Sequence, residues 1–217
     1  MKKLPKLSIL LLLFLIPFES LAQSLGIKAG VNISTFSMKD NDRNYDDDFT
    51  TKAGFHVGMS AEMKLPLFLS FESGIYLSTK GYKGTTSVDD NNKVEVKETL
   101  YYLDIPFYLK VSIGVSEIKA YANAGPYIGI GLSGNKKIDT TILGENTTKT
   151  EDIKWGKDDD DDLQRFDLGL NVGAGVEIGL VNIGVSYGFG LVNISSVTTN
   201  GLEIHNRVLG ISMGFKF

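Results

Sequence analysis

His56 and His205 are the only two histidines in a chain of 217 residues that contains no cysteine. Few side chains can therefore act as a base or ligate a metal at neutral pH. One set has the residue types of nucleophilic acyl transfer: Ser195 or Ser196 as nucleophile, His205 as base and Glu203 as the carboxylate that orients it. No spacing ties either serine to the histidine. Neither histidine belongs to a metal-ligand spacing. The acidic runs Asp46-Asp47-Asp48 and Asp158 to Asp162 supply oxygen atoms, but a calcium loop needs spaced ligands on a definite turn, and consecutive aspartates repel one another. The sequence thus assigns no catalytic, cofactor-binding or metal-ligating residue and calls for no cofactor. Lack of cysteine also removes a lipidated cysteine, a disulfide framework and thiolate chemistry.

The elements that would have to position such residues begin with an export signal. Lys2, Lys3 and Lys6 precede the apolar run Leu7 to Phe18, and Ser20 and Ala22 are the small residues three and one positions before a cut after Ala22. Pro17 and Glu19 close the run far short of the 20 or so apolar residues that a spanning helix needs. Residues 1–22 are expected to be a cleaved signal peptide and residues 23–217 one domain. The remainder carries 19 basic and 25 acidic side chains, a net charge of −6, which makes nucleic acid an unsuitable partner. No later stretch is apolar enough for a membrane helix.

Apolar residues recur with a period of two, the pattern of strands with two unlike faces. From Ala53 to Glu62, Ala53, Phe55, Val57, Met59 and Ala61 alternate with Gly54, His56, Gly58, Ser60 and Glu62. The same alternation runs through Ile27–Ile33, Leu67–Leu77, Tyr101–Val111, Ile118–Leu132, Phe166–Ile178, Val181–Phe189 and Leu209–Phe217. That predicts eight strands. Connections alternate between tight turns (Lys64 to Leu67, around Gly114, Gly179 to Leu180) and long polar stretches (Ser37 to Thr51, Lys83 to Lys93, Gly134 to Gln164, Asn193 to Glu203). Transmembrane barrels have this asymmetry, with short turns on the periplasmic side and long loops outside. An even strand number leaves both termini in the periplasm.

Glycine decides which face points inward. Sixteen of the 24 glycines fall on the polar face of a strand, where they suit a crowded, narrow lumen and have no purpose on an open solvated surface. The apolar face then meets lipid. By parity the lumen receives Lys28, Lys64, Lys80, Lys110, Lys119, Arg165 and Lys216 against Glu62, Glu72, Asp104, Asp167 and Glu177. Such near-balance predicts a salt-bridged, partly hydrated plug. An open pore usually needs about 16 or more strands. The expected fold is all-β: an eight-stranded antiparallel up-and-down transmembrane β-barrel.

Four segments carry a family resemblance: Tyr102-Leu103-Asp104-Ile105-Pro106-Phe107-Tyr108-Leu109-Lys110, Ala124-Gly125-Pro126-Tyr127-Ile128-Gly129, Phe166 to Leu170 with Gly173 to Glu177, and Tyr187 to Ile194. Together they resemble the PorT-like outer-membrane barrels of Bacteroidota over nearly the whole mature chain. The terminal strand, ending on Phe217, resembles the signal read by the barrel-assembly machinery. What the resemblance implies is an outer-membrane location, outer-membrane lipid and the assembly machinery as partners, and an interaction role toward an envelope or secretion protein. The alternative is lipid A modification, for which Ser195 or Ser196 with His205 and Glu203 is the candidate set. Pro106 and Pro126 remove ladder donors and predict bulges or strand ends.

Overall fold

The computed structural model describes residues 24–45, 49–89, 92–142, 145–158 and 160–217. The expected signal peptide and the aspartates at 46–48 lie outside these residues. Among these described residues eleven strands form one antiparallel sheet: β1 (Ser24–Lys39), β2 (Phe49–Thr50), β3 (Lys52–Lys64), β4 (Leu69–Lys80), β5 (Lys83–Asp89), β6 (Asn92–Val115), β7 (Ile118–Ile142), β8 (Glu145–Asp152), β9 (Phe166–Ile178), β10 (Val181–Gly190) and β11 (Glu203–Lys216). Eight of them, β1, β3, β4, β6, β7, β9, β10 and β11, pair in chain order, and β11 pairs back to β1 to close a barrel. The seam runs from Gly26 beside Lys216 to Lys39 beside Glu203. It is finished by Leu25 and Phe217, whose backbones exchange hydrogen bonds of 3.1 and 2.8 Å. Deleting Phe217 removes this last rung. Less folded protein, seen as a lower yield of the compact species in unheated gel electrophoresis, is the expected result; an unchanged yield would show that the rung is dispensable.

Burial is inverted relative to a soluble protein, and the inversion identifies the faces. Val31, Met59, Val172, Val185 and Ile211 are each 46–58% exposed, whereas Glu72, Lys80, Lys110 and Asp167 are at most 4% exposed. Only a bilayer makes that distribution favourable. Among the described residues no helix is long and apolar enough to cross a membrane. Crowding explains the inward glycines: a Cβ on Gly30 would lie 2.5 Å from His56 Cε1, and one on Gly131 would lie 2.4 Å from the Trp155 ring.

Several boundaries differ from the expectation. Leu67 belongs to the β3–β4 turn, at φ 68°, and not to a strand. The β6–β7 turn is at Ser116 and Glu117, with Ser116 at φ 55°, so Gly114 is still in β6, opposite Lys119. Pro106 and Pro126 lie inside strands and end neither; the β6–β7 ladder instead skips the positions between Pro106–Tyr127 and Leu109–Ala124. Ser73 Oγ donates to the Pro106 carbonyl at 2.8 Å across the matching gap on the other side.

The largest difference is beyond the bilayer. Stretches expected as loops are strand: β5, the outer halves of β6 and β7, and β8 continue as a sheet edged by β2. β6 and β7 are 24 and 25 residues long, about twice what a crossing needs. Alternating Lys, Thr, Glu and Val side chains suit a sheet solvated on both faces. Charge holds it: Glu95 accepts from Lys83 across the ladder at 3.0 Å and from Lys97 on its own strand.

Candidate functional site

Register places charge in two layers inside the barrel. Toward the short-turn end, Glu62 on β3 stands directly opposite Glu72 on β4, a like-charge pair that would oppose folding by itself. Amines from across the lumen compensate. Lys110 Nζ reaches Glu62 at 3.2 Å, Glu72 at 3.6 Å and, in a short contact, Glu177. Lys216 bridges Glu62 and Glu177 at 2.6 and 2.5 Å, and Lys28 pairs with Glu72 at 2.7 Å. Three amines thus meet three carboxylates. Nearer the long-loop end, Lys80 lies 2.9 Å from Asp104 and 3.0 Å from Asp167, between the rings of Tyr102 and Tyr127. Asp167 Oδ2 also accepts from Asn206 and Tyr127.

Of the twelve charged residues expected in the lumen, three are elsewhere. Lys64 is exposed at the end of β3 and Lys119 sits half-buried at the start of β7, both at the short-turn rim. Arg165 precedes β9 and is exposed; its guanidinium donates to the carbonyls of Gly131 and Leu132. Parity correctly gives the face of a residue, but not whether the strand extends that far into the membrane.

Between the two layers lies a cavity of about 110 Å³ bordered by Asn32, His56, Tyr76, Tyr121, Tyr127 and Asn171. Its polar walls suit a handful of waters. His56 Nδ1 is 2.7 Å from Asn32 Oδ1, which fixes the ring. Paired charges span the lumen in both layers, so the protein is expected to give no steady conductance in a planar bilayer. Large, reproducible open steps would mean that the charged layers do not seal.

The long-loop end is closed by an apolar cluster. Phe36 from β1, Leu100 and Tyr102 from β6 and Ile204 from β11 pack with Ile153, Leu163 and Ile194 from the connections, joined by Met38, Tyr82, Trp155 and Leu202. Tyr102 meets Trp155 edge to face at 5.7 Å. Asn193 pins the cover: its Oδ1 accepts from the amides of Ser195 and Ile204 at 3.0 and 2.9 Å, and its Nδ2 donates to the Leu202 carbonyl. This cap is the feature sequence reasoning missed. Its only signal is the isolated apolar residues Ile153, Trp155 and Leu163 in an otherwise polar stretch.

Glu98 is enclosed beneath the cap, 7% exposed, with Oε1 lacking a partner. Burial pushes its carboxyl up to about 7; Lys136 offsets part of this and Asp162 adds to it. A raised acid binds its proton more tightly when folded, so the closed cap is most stable below about pH 4.5 and loses stability as the pH rises to about 7. The full loss is about 3 kcal/mol. Limited proteolysis of the 153–165 segment should accelerate between pH 5 and 8 in the native protein and stay nearly flat in Glu98→Gln. Equal acceleration in both would refute the role of Glu98.

The acyl-transfer set is not assembled. Ser195 Oγ donates to the Val197 carbonyl at 2.6 Å, Ser196 Oγ donates to the Gly156 carbonyl at 2.9 Å, and His205 Nε2 faces Glu203 at 3.4 Å. In the acidic run, Asp161 Oδ2 accepts from the amide of Asp158 and Asp162 Oδ2 from that of Lys154. These carboxylates shape the cap, and among the described residues no three acidic or histidine side chains converge as metal ligands.

Among curated proteins none matches the chain. Similar solved structures include Neisserial surface protein A, at 15% identity over 89% of this chain and 97% of that one, TM-score 0.43. OprG of Pseudomonas aeruginosa has 12% identity over 90% and 96%, TM-score 0.42. Ail, the attachment invasion locus protein of Yersinia pestis, has 14% identity over 89% and 98%, TM-score 0.36. The profile of the outer membrane protein beta-barrel domain matches residues 21–196, and the chain belongs to that family of outer-membrane barrels.

Proposed function

We propose that this outer-membrane barrel is a non-enzymatic interaction protein, its wall sealed in the membrane and its cap and projecting sheet presented to an envelope or secretion partner. The carrying observation is the cap: a packed apolar cluster holds the connections in one shape, as a binding surface requires and a flexible loop does not supply. The serine hydroxyls bound to backbone carbonyls leave the lipid A reading without a nucleophile set beside a base. The segments from Tyr102 to Lys110 and Tyr187 to Ile194 support a PorT-like affiliation within the family.

On this reading the capped end faces outward, both termini are periplasmic, and the signal peptide is cut after Ala22. Photo-crosslinking in native membranes tests it, with one probe replacing Thr147 on exposed β8 and another replacing Phe68 in the short β3–β4 turn. A discrete protein adduct from position 147 is expected. Protein adducts from position 68 alone would reject the cap as the interaction surface. The lipid A mass spectrum of a deletion strain should be unchanged; a lost acyl modification would restore the enzyme reading.

A further inference from the structure

The outer wall carries an unpaired guanidinium where the apolar belt ends. Along three neighbouring strands the register sets Leu209 beside Ile33 and Tyr187, then Arg207 beside Thr35 and Phe189, then His205 beside Ser37, and last Glu203 beside Lys39. Arg207 shares the outward parity of Leu209, Ile211, Met213 and Phe215, while its neighbours point inward: Asn206 bonds Asp167 and Val208 borders the lumen cavity. From Arg207 to Phe215 is one bilayer crossing, roughly 9–11 residues. The side chain therefore emerges at the level where hydrocarbon gives way to headgroups.

No described residue neutralises it. Glu203, the acidic residue on this wall, is engaged by Lys39 at 3.1 Å and faces His205, and no hydrogen bond or ion pair from a described residue reaches Arg207. Thr35 Oγ1 and His205 Nδ1, on neighbouring residues, are closed off without a partner and do not bond it. Tyr187 and Phe189, 6.4 Å apart, form an aromatic flank. Arg165 differs, since carbonyl oxygens already occupy its guanidinium.

We propose that Arg207, flanked by Tyr187 and Phe189, forms a site for the phosphate of a membrane lipid at the capped end of the barrel. The guanidinium fork matches two phosphate oxygens. The aromatic pair packs on the lipid's first methylenes.

The test is native mass spectrometry of the full-length mature protein in neutral detergent, titrated with bisphosphorylated lipid A, with the same lipid stripped of phosphate, and with inorganic phosphate as competitor. Retention of the phosphorylated lipid alone is expected, with apparent affinity about tenfold lower in Arg207→Gln, as for loss of one charge-assisted hydrogen bond. Arg207→Lys should fall between the two, and Lys149→Gln on distant β8, the same charge change, should bind as the native protein does. Equal retention of the stripped lipid, or full retention by Arg207→Gln, overturns the site. Displacement by an equal concentration of inorganic phosphate overturns the lipid as its ligand. The lipid contrast uses the native protein and decides the matter even if Arg207→Gln fails to assemble.

Discussion

Lys110→Met is expected to destabilise the folded barrel by about 3–5 kcal/mol, the cost of breaking a buried ion network by removing one sign of charge. Lys110 is 1% exposed and its Nζ touches Glu62, Glu72 and Glu177. Without it, Glu62 and Glu72 face each other across the β3–β4 ladder, held by Lys216, Lys28 and the Ser70 hydroxyl. Urea unfolding in lipid vesicles measures the effect, and adding Glu177→Gln should restore part of the loss. An unchanged midpoint in the single variant would mean that water already screens the layer.

Val172→Lys is expected to cost roughly 2–4 kcal/mol, because its side chain points into hydrocarbon near the middle of the wall. Val172 is 46% exposed on β9, between Ala124 and Tyr187 on the neighbouring strands. Asn171 borders the hydrated cavity instead, so Asn171→Lys should cost clearly less. Single cysteines at the two positions, easily placed in a chain with no other cysteine, would carry spin labels. A lipid-phase quencher should reach the label at 172 and miss that at 171; equal access at both would contradict the outward face.

Alternation made the barrel wall legible because a strand between lipid and lumen has two environments, and each of its residues must commit to one. Lys110, Glu177 and Asp167 could be assigned to the lumen on parity alone, and the near-balance of charge correctly implied pairing. Which amine meets which carboxylate could not be read, because those contacts cross the barrel between strands far apart in sequence, such as β3 and β11. Above the membrane both faces of a strand meet water and the alternation loses its meaning. Glu145–Asp152 therefore reads as a loop although β7 holds it as β8. Ile153, Trp155 and Leu163 belong to the cap through contacts with Ile194 and Ile204, which no local pattern announces. Arg165 shows the same limit, since its contacts come from the middle of β7.

The seam between the first and last barrel strands also governs how the wall can be made. β1 pairs β3 along one edge, but its other edge has no partner until residues 203–216 arrive. Every intermediate before that moment is an open sheet with unpaired amides and carbonyls, which hydrocarbon does not tolerate and which invites pairing with other chains. Closure over so long a sequence separation is slow. Biogenesis is therefore a single late event, and a chain that stops short of Glu203 has no partial barrel to settle into.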